Sequence, residues 1–300
     1  DGIRDIGVTG VQTCALPILY LSLLFPIFFV ATNLFGQMQI GMEQKLWVNA
    51  ALLLVLFFII PCLFVWHRRL VFEKTFLSRG WLSDSIHGGS TAITKVWRGI
   101  GVFVAVGLLA SGLWILAYEM LKLLSDLGFA AISLDRSQAL EEAKAEFAKI
   151  PFWILFVTSA LIPAIAEEFF FRGFVLSAFR SRFAGLRAVL YTALLFGIFH
   201  VINGSILSLE RFAPTFLLGL FLGMVALRTH SIWPGCLLHA IHNGLLFWLT
   251  RFSEKELGEW LGSGNEHFPL VWILGSMVAV TLGTWSLLVS TSKRTDENNY

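Results

Sequence analysis

Within the apolar stretch "AIAEEFFFRGFV", residues 164–175, stand two adjacent carboxylates and a guanidinium: Glu167, Glu168 and Arg172. Further on, "FGIFH" ends in His200, and "HAIHN" holds His239, His242 and Asn243. Side chains of these types take up protons, hold water and stabilise developing negative charge. Glu168 and Arg172 are spaced i,i+4, so one helix face would hold them as a charge-assisted pair that partly neutralises both. Glu167 is turned about 100° from Glu168 and is left to face another partner. A glutamate held in a dry cleft suits a general base that takes a proton from water. His239 and Asn243 also share a face, His242 points elsewhere, and Phe196 and His200 repeat the i,i+4 spacing. Glu167, His200 and His239 are in addition the donor types of an open three-ligand zinc site, although no H-E-x-x-H is present.

Each group has a plainer use when taken alone. Glu168 with Arg172 makes a structural clasp, His200 a hydrogen-bonded interior histidine, His242 a packing residue, and Asn243 interhelical glue. Convergence is what would lift them above that, and convergence depends on the elements that carry them. The chain has 300 residues, 56% hydrophobic and 14% charged, with 28 Phe and 11 Trp. An ordinary soluble domain carries about 25% charged residues, so the expected solvent is lipid and the fold class an all-α polytopic membrane bundle. A crossing needs about 20 mostly apolar residues. Eight stretches fit roughly: 19–41, 47–66, 99–121, 152–177, 187–203, 212–228, 232–250 and 269–290. Charges at bilayer depth cost at least ~2.5–3.5 kcal/mol each and by default mark function. Counted from Arg180, Arg187 and Arg228 at 1.5 Å per residue, Glu167, His200 and His239 all fall about 16–20 Å from the same side. Three spans therefore place polar groups at one level.

Loop charge orients the bundle. Arg68, Arg69, Lys74, Arg79, Lys95, Arg98, Arg180, Arg182, Arg187, Arg228, Lys293 and Arg294 gather on one side if eight helices alternate. The other side dilutes its basic residues with Glu141, Glu142, Glu146, Glu254, Glu256 and Glu259. Both termini are therefore predicted to be cytoplasmic. Gly219 and Gly223 in "LGLFLGM" form a small-xxx-small pair that permits close helix packing. Cys14, Cys62 and Cys236 show neither metal-ligand spacing nor an even disulfide count. Residues 8–18, "VTGVQTCALPI", resemble the conceptual translation of a sequencing-adapter oligonucleotide, so 1–18 are expected to be an artefact or a disordered tail. Residues 19–150 then supply N-terminal membrane helices, 151–250 the core with the three motifs, and 251–300 a last helix and cytoplasmic tail.

In order, "EEFFFR" fits E-E-x-x-x-R, "FGIFH" fits F-x-x-x-H and "HAIHN" fits H-x-x-x-N. This set resembles the CAAX prenyl endopeptidases and bacteriocin-processing proteins (CPBP, Abi), a family of intramembrane proteases, over roughly residues 150–250. The resemblance implies that Glu167 is the catalytic base and that His200 helps to hold the attacking water. It implies that His239 and Asn243 stabilise the oxyanion, with Glu168 and Arg172 holding the first motif in shape. In the family the same residues are described either as zinc ligands, here Glu167, His200 and His239, or as a metal-free glutamate-type site.

The leading expectation is an intramembrane endopeptidase of the bacterial plasma membrane. Its partners would be the lipid bilayer and a peptide or protein substrate, such as a prenylated protein, a bacteriocin-like precursor or a membrane protein, and not nucleic acid. The alternative is a non-enzymatic immunity or scaffold protein that binds a peptide in the same cleft. A proton- or ion-coupled transporter is a third reading, against which stands the lack of an internal repeat or paired broken helices.

Overall fold

The computed structural model describes residues 20, 23–24, 26–32, 34–35, 38–67, 92–127, 145–180, 182–202, 211–249, 251–252, 256, 258–259 and 267–292. All regular structure among them is helical, and the chain is a polytopic all-α bundle. The expected artefact at 1–18 lies outside the described residues, as do Arg68, Arg69, Lys74, Arg79, Lys293 and Arg294.

Helix α1 (Met42–Leu54) opens at Gly41, whose backbone N–H donates to Gln44 Oε1 at 3.1 Å. It passes through a π-helical turn, Val55–Ile59, into α2 (Ile60–His67). Helix α3 (Ala92–Asp126) follows. The next span runs from Phe152 to Arg180 but changes pitch four times. It consists of α4 (Phe152–Leu155), a π segment Phe156–Leu161, α5 (Ile162–Glu168), a second π segment Phe169–Val175, and α6 (Leu176–Arg180). Prolines account for two of the three widened stretches. Pro61 and Pro163 follow them within two residues, and each lacks the N–H, and crowds the carbonyl, that a regular turn would use. Helices α7 (Gly185–Ile202), α8 (Phe212–Thr229), α9 (Trp233–Leu249) and α10 (Leu270–Ser290) complete the order. His230 ends α8 in the left-handed region, at φ 50°.

Among the described residues, five helices are long and apolar enough to cross a membrane: Met42–Leu63, Val96–Leu124, Phe152–Arg180, Phe212–Thr229 and Leu270–Ser290. The chain is an integral membrane protein. Of the other three expected spans, Gly185–Val201 is apolar but shorter, α9 has 17 residues, and 19–41 is described only in part. Large apolar side chains that stay exposed, such as Phe103, Val271 and Trp285, fit a surface turned to lipid.

Two helix pairs approach closely through small residues. A Cβ on Gly219 would lie 3.2 Å from Ala193 Cβ, and one on Gly223 2.8 Å from Val189 Cγ1, so the expected pair seats α8 on α7. A Cβ on Gly112 of α3 would meet the Ser276 carbonyl oxygen of α10 at 2.6 Å. The bundle also holds an aromatic core, and the three phenylalanines after Glu168 belong to it. Phe169 packs on Phe58 (ring centroids 4.5 Å), Phe170 on Phe57 (5.0 Å) and Phe171 on Phe196 (5.1 Å). The bulky spacer thus anchors the fourth span to α7 and to the π turn after α1, rather than filling a cleft.

Candidate active site

Glu167 and Glu168 end α5, immediately before the π segment Phe169–Val175. Both carboxylates reach the imidazole of His239 on α9. Glu168 Oε1 lies 3.1 Å from His239 Nδ1, and Glu167 Oε2 lies 4.0 Å from His239 Nε2. From α7, His200 brings Nε2 to 3.7 Å from the same Glu167 oxygen. Glu167, His200 and His239 therefore come together at one point, reached from three helices. Asn243 is half-buried one turn beyond His239 on α9.

Hydrogen bonding assigns the ring protons. His200 Nδ1 is 2.8 Å from the Phe196 carbonyl, which can only accept, so Nδ1 donates and the neutral ring presents an Nε2 lone pair to Glu167. His239 Nδ1 faces a carboxylate oxygen that already accepts from Arg172 Nη1 at 2.7 Å, so Nδ1 again carries the proton. The His200 Nε2 lone pair, His239 Nε2 and a carboxylate oxygen of Glu167 then face one another at separations too long for direct hydrogen bonds. A water spans such a gap at ordinary bond lengths.

Arg172 is wholly buried, and both of its terminal nitrogens are partnered. Its Nη1 binds Glu168, its Nη2 donates to the Gly219 carbonyl on α8 at 3.2 Å, and its carbon Cζ lies 4.4 Å from the Phe196 ring centroid. Cation–π contact of this kind is strengthened by desolvation. Gly235 completes the cradle, since a Cβ there would sit 3.1 Å from Glu168 Oε2. Spacing in the sequence carries no signal for Gly235 or for the Gly219 carbonyl, because both act across helices. Phe196 is the aromatic of the second motif, and its two contacts explain that position: its carbonyl fixes His200 while its ring receives Arg172.

Side-chain exposure rises along this chain of contacts. It is 0% at Arg172 and Glu168, 2% at His239, 5% at Glu167 and 21% at His200. His200 is thus the most accessible member of the cluster, and the ion pair forms its most buried end. The donor types suit zinc, but among the described residues no group of three or more His, Cys, Asp or Glu is spaced to hold a metal ion.

Residues 149–245, about a third of the chain, match the family described as Rce1-like, type II CAAX prenyl endopeptidase Rce1-like. Over that segment the chain resembles the CAAX protease family, and the match supports the resemblance that the three motifs carry. Every residue of the cluster lies inside the Rce1-like segment. No curated protein and no solved structure matches the chain. The match supports an integral-membrane protease that acts on a peptide or protein at the membrane.

Proposed function

We propose that this protein hydrolyses a peptide bond within the membrane, with Glu167 as general base. The observation that carries the reading is the approach of the His200 and His239 Nε2 atoms to Glu167 Oε2, at 3.7 and 4.0 Å. A water held between Glu167 and His200 gives its proton to Glu167 as its oxygen attacks the scissile carbonyl carbon. The carbonyl oxygen becomes an oxyanion, taken by Asn243 and by His239 Nε2–H. Because His239 Nδ1 is committed to Glu168, an Nε2–H requires the imidazolium form, and the Glu168 carboxylate is placed to support that charge. Collapse of the tetrahedral intermediate breaks the C–N bond. The amine leaves with the proton that Glu167 took, and the new carboxyl group stays on the other fragment. Arg172 holds Glu168 in place and so acts on His239 through it.

No step needs a metal. Glu167, His200 and His239 are the residues that would hold a zinc, which would polarise the water and the carbonyl. On the metal-free reading, cleavage survives exhaustive chelation. Loss of cleavage that zinc alone restores would overturn it.

The substrate is a prenylated protein or a bacteriocin-like precursor, and the setting is a bacterial plasma membrane with both termini cytoplasmic. Residues 151–250 would be the protease core and 19–150 the N-terminal membrane helices with their loops. The test is comparative proteomics of new peptide termini in cells carrying the intact chain or Glu167→Ala. Termini that vanish in the mutant, with the protein still inserted and folded, are the expected result. Unchanged termini would sink the assignment.

A further inference from the structure

The reaction above leaves one group of the α9 motif unused. His242 is buried, with 5% exposure, and its Nδ1 is sealed from solvent without a hydrogen-bond partner among the described residues. Burying a polar nitrogen unpaired is costly, and native proteins nearly always match such atoms. A leucine or phenylalanine here would avoid the penalty altogether.

The position is close to the chemistry. On a helix turning 100° per residue, Asn243 stands about 40° to one side of His239 and His242 about 60° to the other. The three residues therefore span an arc of about 100° on α9, with His242 turned away from Asn243 but still flanking His239. Gly235 lies about 20° from His242 on the helical wheel, two turns earlier, and its would-be Cβ points at Glu168 Oε2. A Cβ on Gly244 would come within 2.9 Å of Phe156 Cε2. These contacts set the level of His242 against the fourth span, between Glu168 and Phe156. There the π segment Phe156–Leu161 gives way to α5, and wide turns of this kind recur at functional sites.

We infer that His242 is a substrate-contacting residue, its Nδ1 kept unpaired for a backbone amide of the peptide that lies along the His239–Asn243 face. This rests on the proteolytic reading. A neutral imidazole donates or accepts equally well, and an uncharged backbone group is the partner that costs least to bring into a dry site. The axial step from His239 to His242 is about 4.5 Å. One to two residues of extended chain cover that distance, so the amide served is one or two residues from the scissile bond.

The test uses the full chain in lipid nanodiscs. The cleavable probe is an internally quenched farnesylated CAAX-type peptide, and the binding probe is the same peptide with its scissile amide reduced to a methylene-amine. His242→Phe keeps the ring volume without the nitrogens, and His242→Gln restores an amide. In His242→Phe, KM and the dissociation constant of the reduced peptide should each rise about tenfold, the worth of one hydrogen bond. Its kcat should stay within about twofold, since the amide is held alike in ground and transition states. Its Tm should be unchanged or higher, and His242→Gln should recover most of the affinity. Unaltered affinity in His242→Phe overturns the inference. So does a lower Tm or failure to fold, which would make His242 a packing residue. If the intact chain binds the reduced peptide but cleaves nothing, the proteolytic reading fails while affinity still decides the role of His242. No binding by the intact chain overturns the inference outright.

Discussion

His239 is the residue on which the site turns, because its two nitrogens meet the two carboxylates of adjacent residues on another helix. The bond to Glu168 orients the ring and leaves Nε2 beside Glu167. Glu168 does this only while Arg172 offsets its charge, which gives a stability prediction and an activity prediction that come apart. Arg172→Met strands a buried carboxylate and should cost about 3–5 kcal/mol, read as a lower Tm in detergent, with loss of cleavage. The double variant Glu168→Gln/Arg172→Met removes both charges and should regain most of that stability. It should stay inactive, because no carboxylate then holds His239. A double variant as unstable as the single one would show that the pair is not the source of the loss.

The helices place these residues through close approach and through irregularity. Two π stretches precede prolines, and the third begins directly after Glu168. Where helices touch backbone to backbone there is no room for a side chain. Gly112→Ala would drive a methyl against the Ser276 carbonyl, which cannot swing aside as a side chain would. It should destabilise by about 1–3 kcal/mol. Gly107 on the same helix is the control, with nothing within 4 Å of its would-be Cβ. Gly107→Ala should be neutral or stabilise by up to ~1 kcal/mol. Thermal melting of the two variants checks the interface, and equal melting points would argue against it.

At the scale of the molecule, the last turns of α3 are also tied to the start of α10 by a polar clasp centred on His267, which lies outside the membrane spans. His267 Nδ1 lies 2.9 Å from Glu119 Oε2, and Nε2 lies 2.9 Å from Asp126 Oδ2. Phe268 N–H donates to Glu119 Oε1 at 2.6 Å, and the Phe268 ring packs on Trp114 and Tyr118. Both ring nitrogens donate only in the imidazolium, and the hydrogen bonds to Glu119 and then Asp126 hold the His267 pKa above its ordinary value. A raised folded-state pKa means stability that is fully present below the unfolded value, about 6.5. It is lost as pH rises through the folded value. Tm should therefore fall as pH is raised from about 6 through the folded-state value, and His267→Gln should flatten that slope. The effect is small, because the clasp is solvent-exposed and screened. An unchanged slope in the variant would remove His267 as its cause.

Composition and register alone settled a good deal. The shortage of charge required lipid, the ordered motifs pointed to the family that residues 149–245 match, and the Gly219–Gly223 spacing foretold where α8 meets a neighbour. Each of these is local: hydropathy is a sum over residues, and i,i+4 spacing fixes which side chains share a face. Eight apolar stretches were countable, yet five described helices meet the length and apolarity of a span. Hydropathy does not mark where a helix bends or stops. Nor does register say which nitrogen meets which oxygen. Glu168 reads as half of a clasp with Arg172, and only the tertiary structure adds His239 to it. The three phenylalanines read as a spacer, and packing with Phe57, Phe58 and Phe196 turns them into core. Such pairings depend on the rotation and distance between helices. Those are set by contacts such as Gly235 against Glu168 and Phe196 under Arg172, whose partners lie tens of residues apart and meet only in the folded bundle.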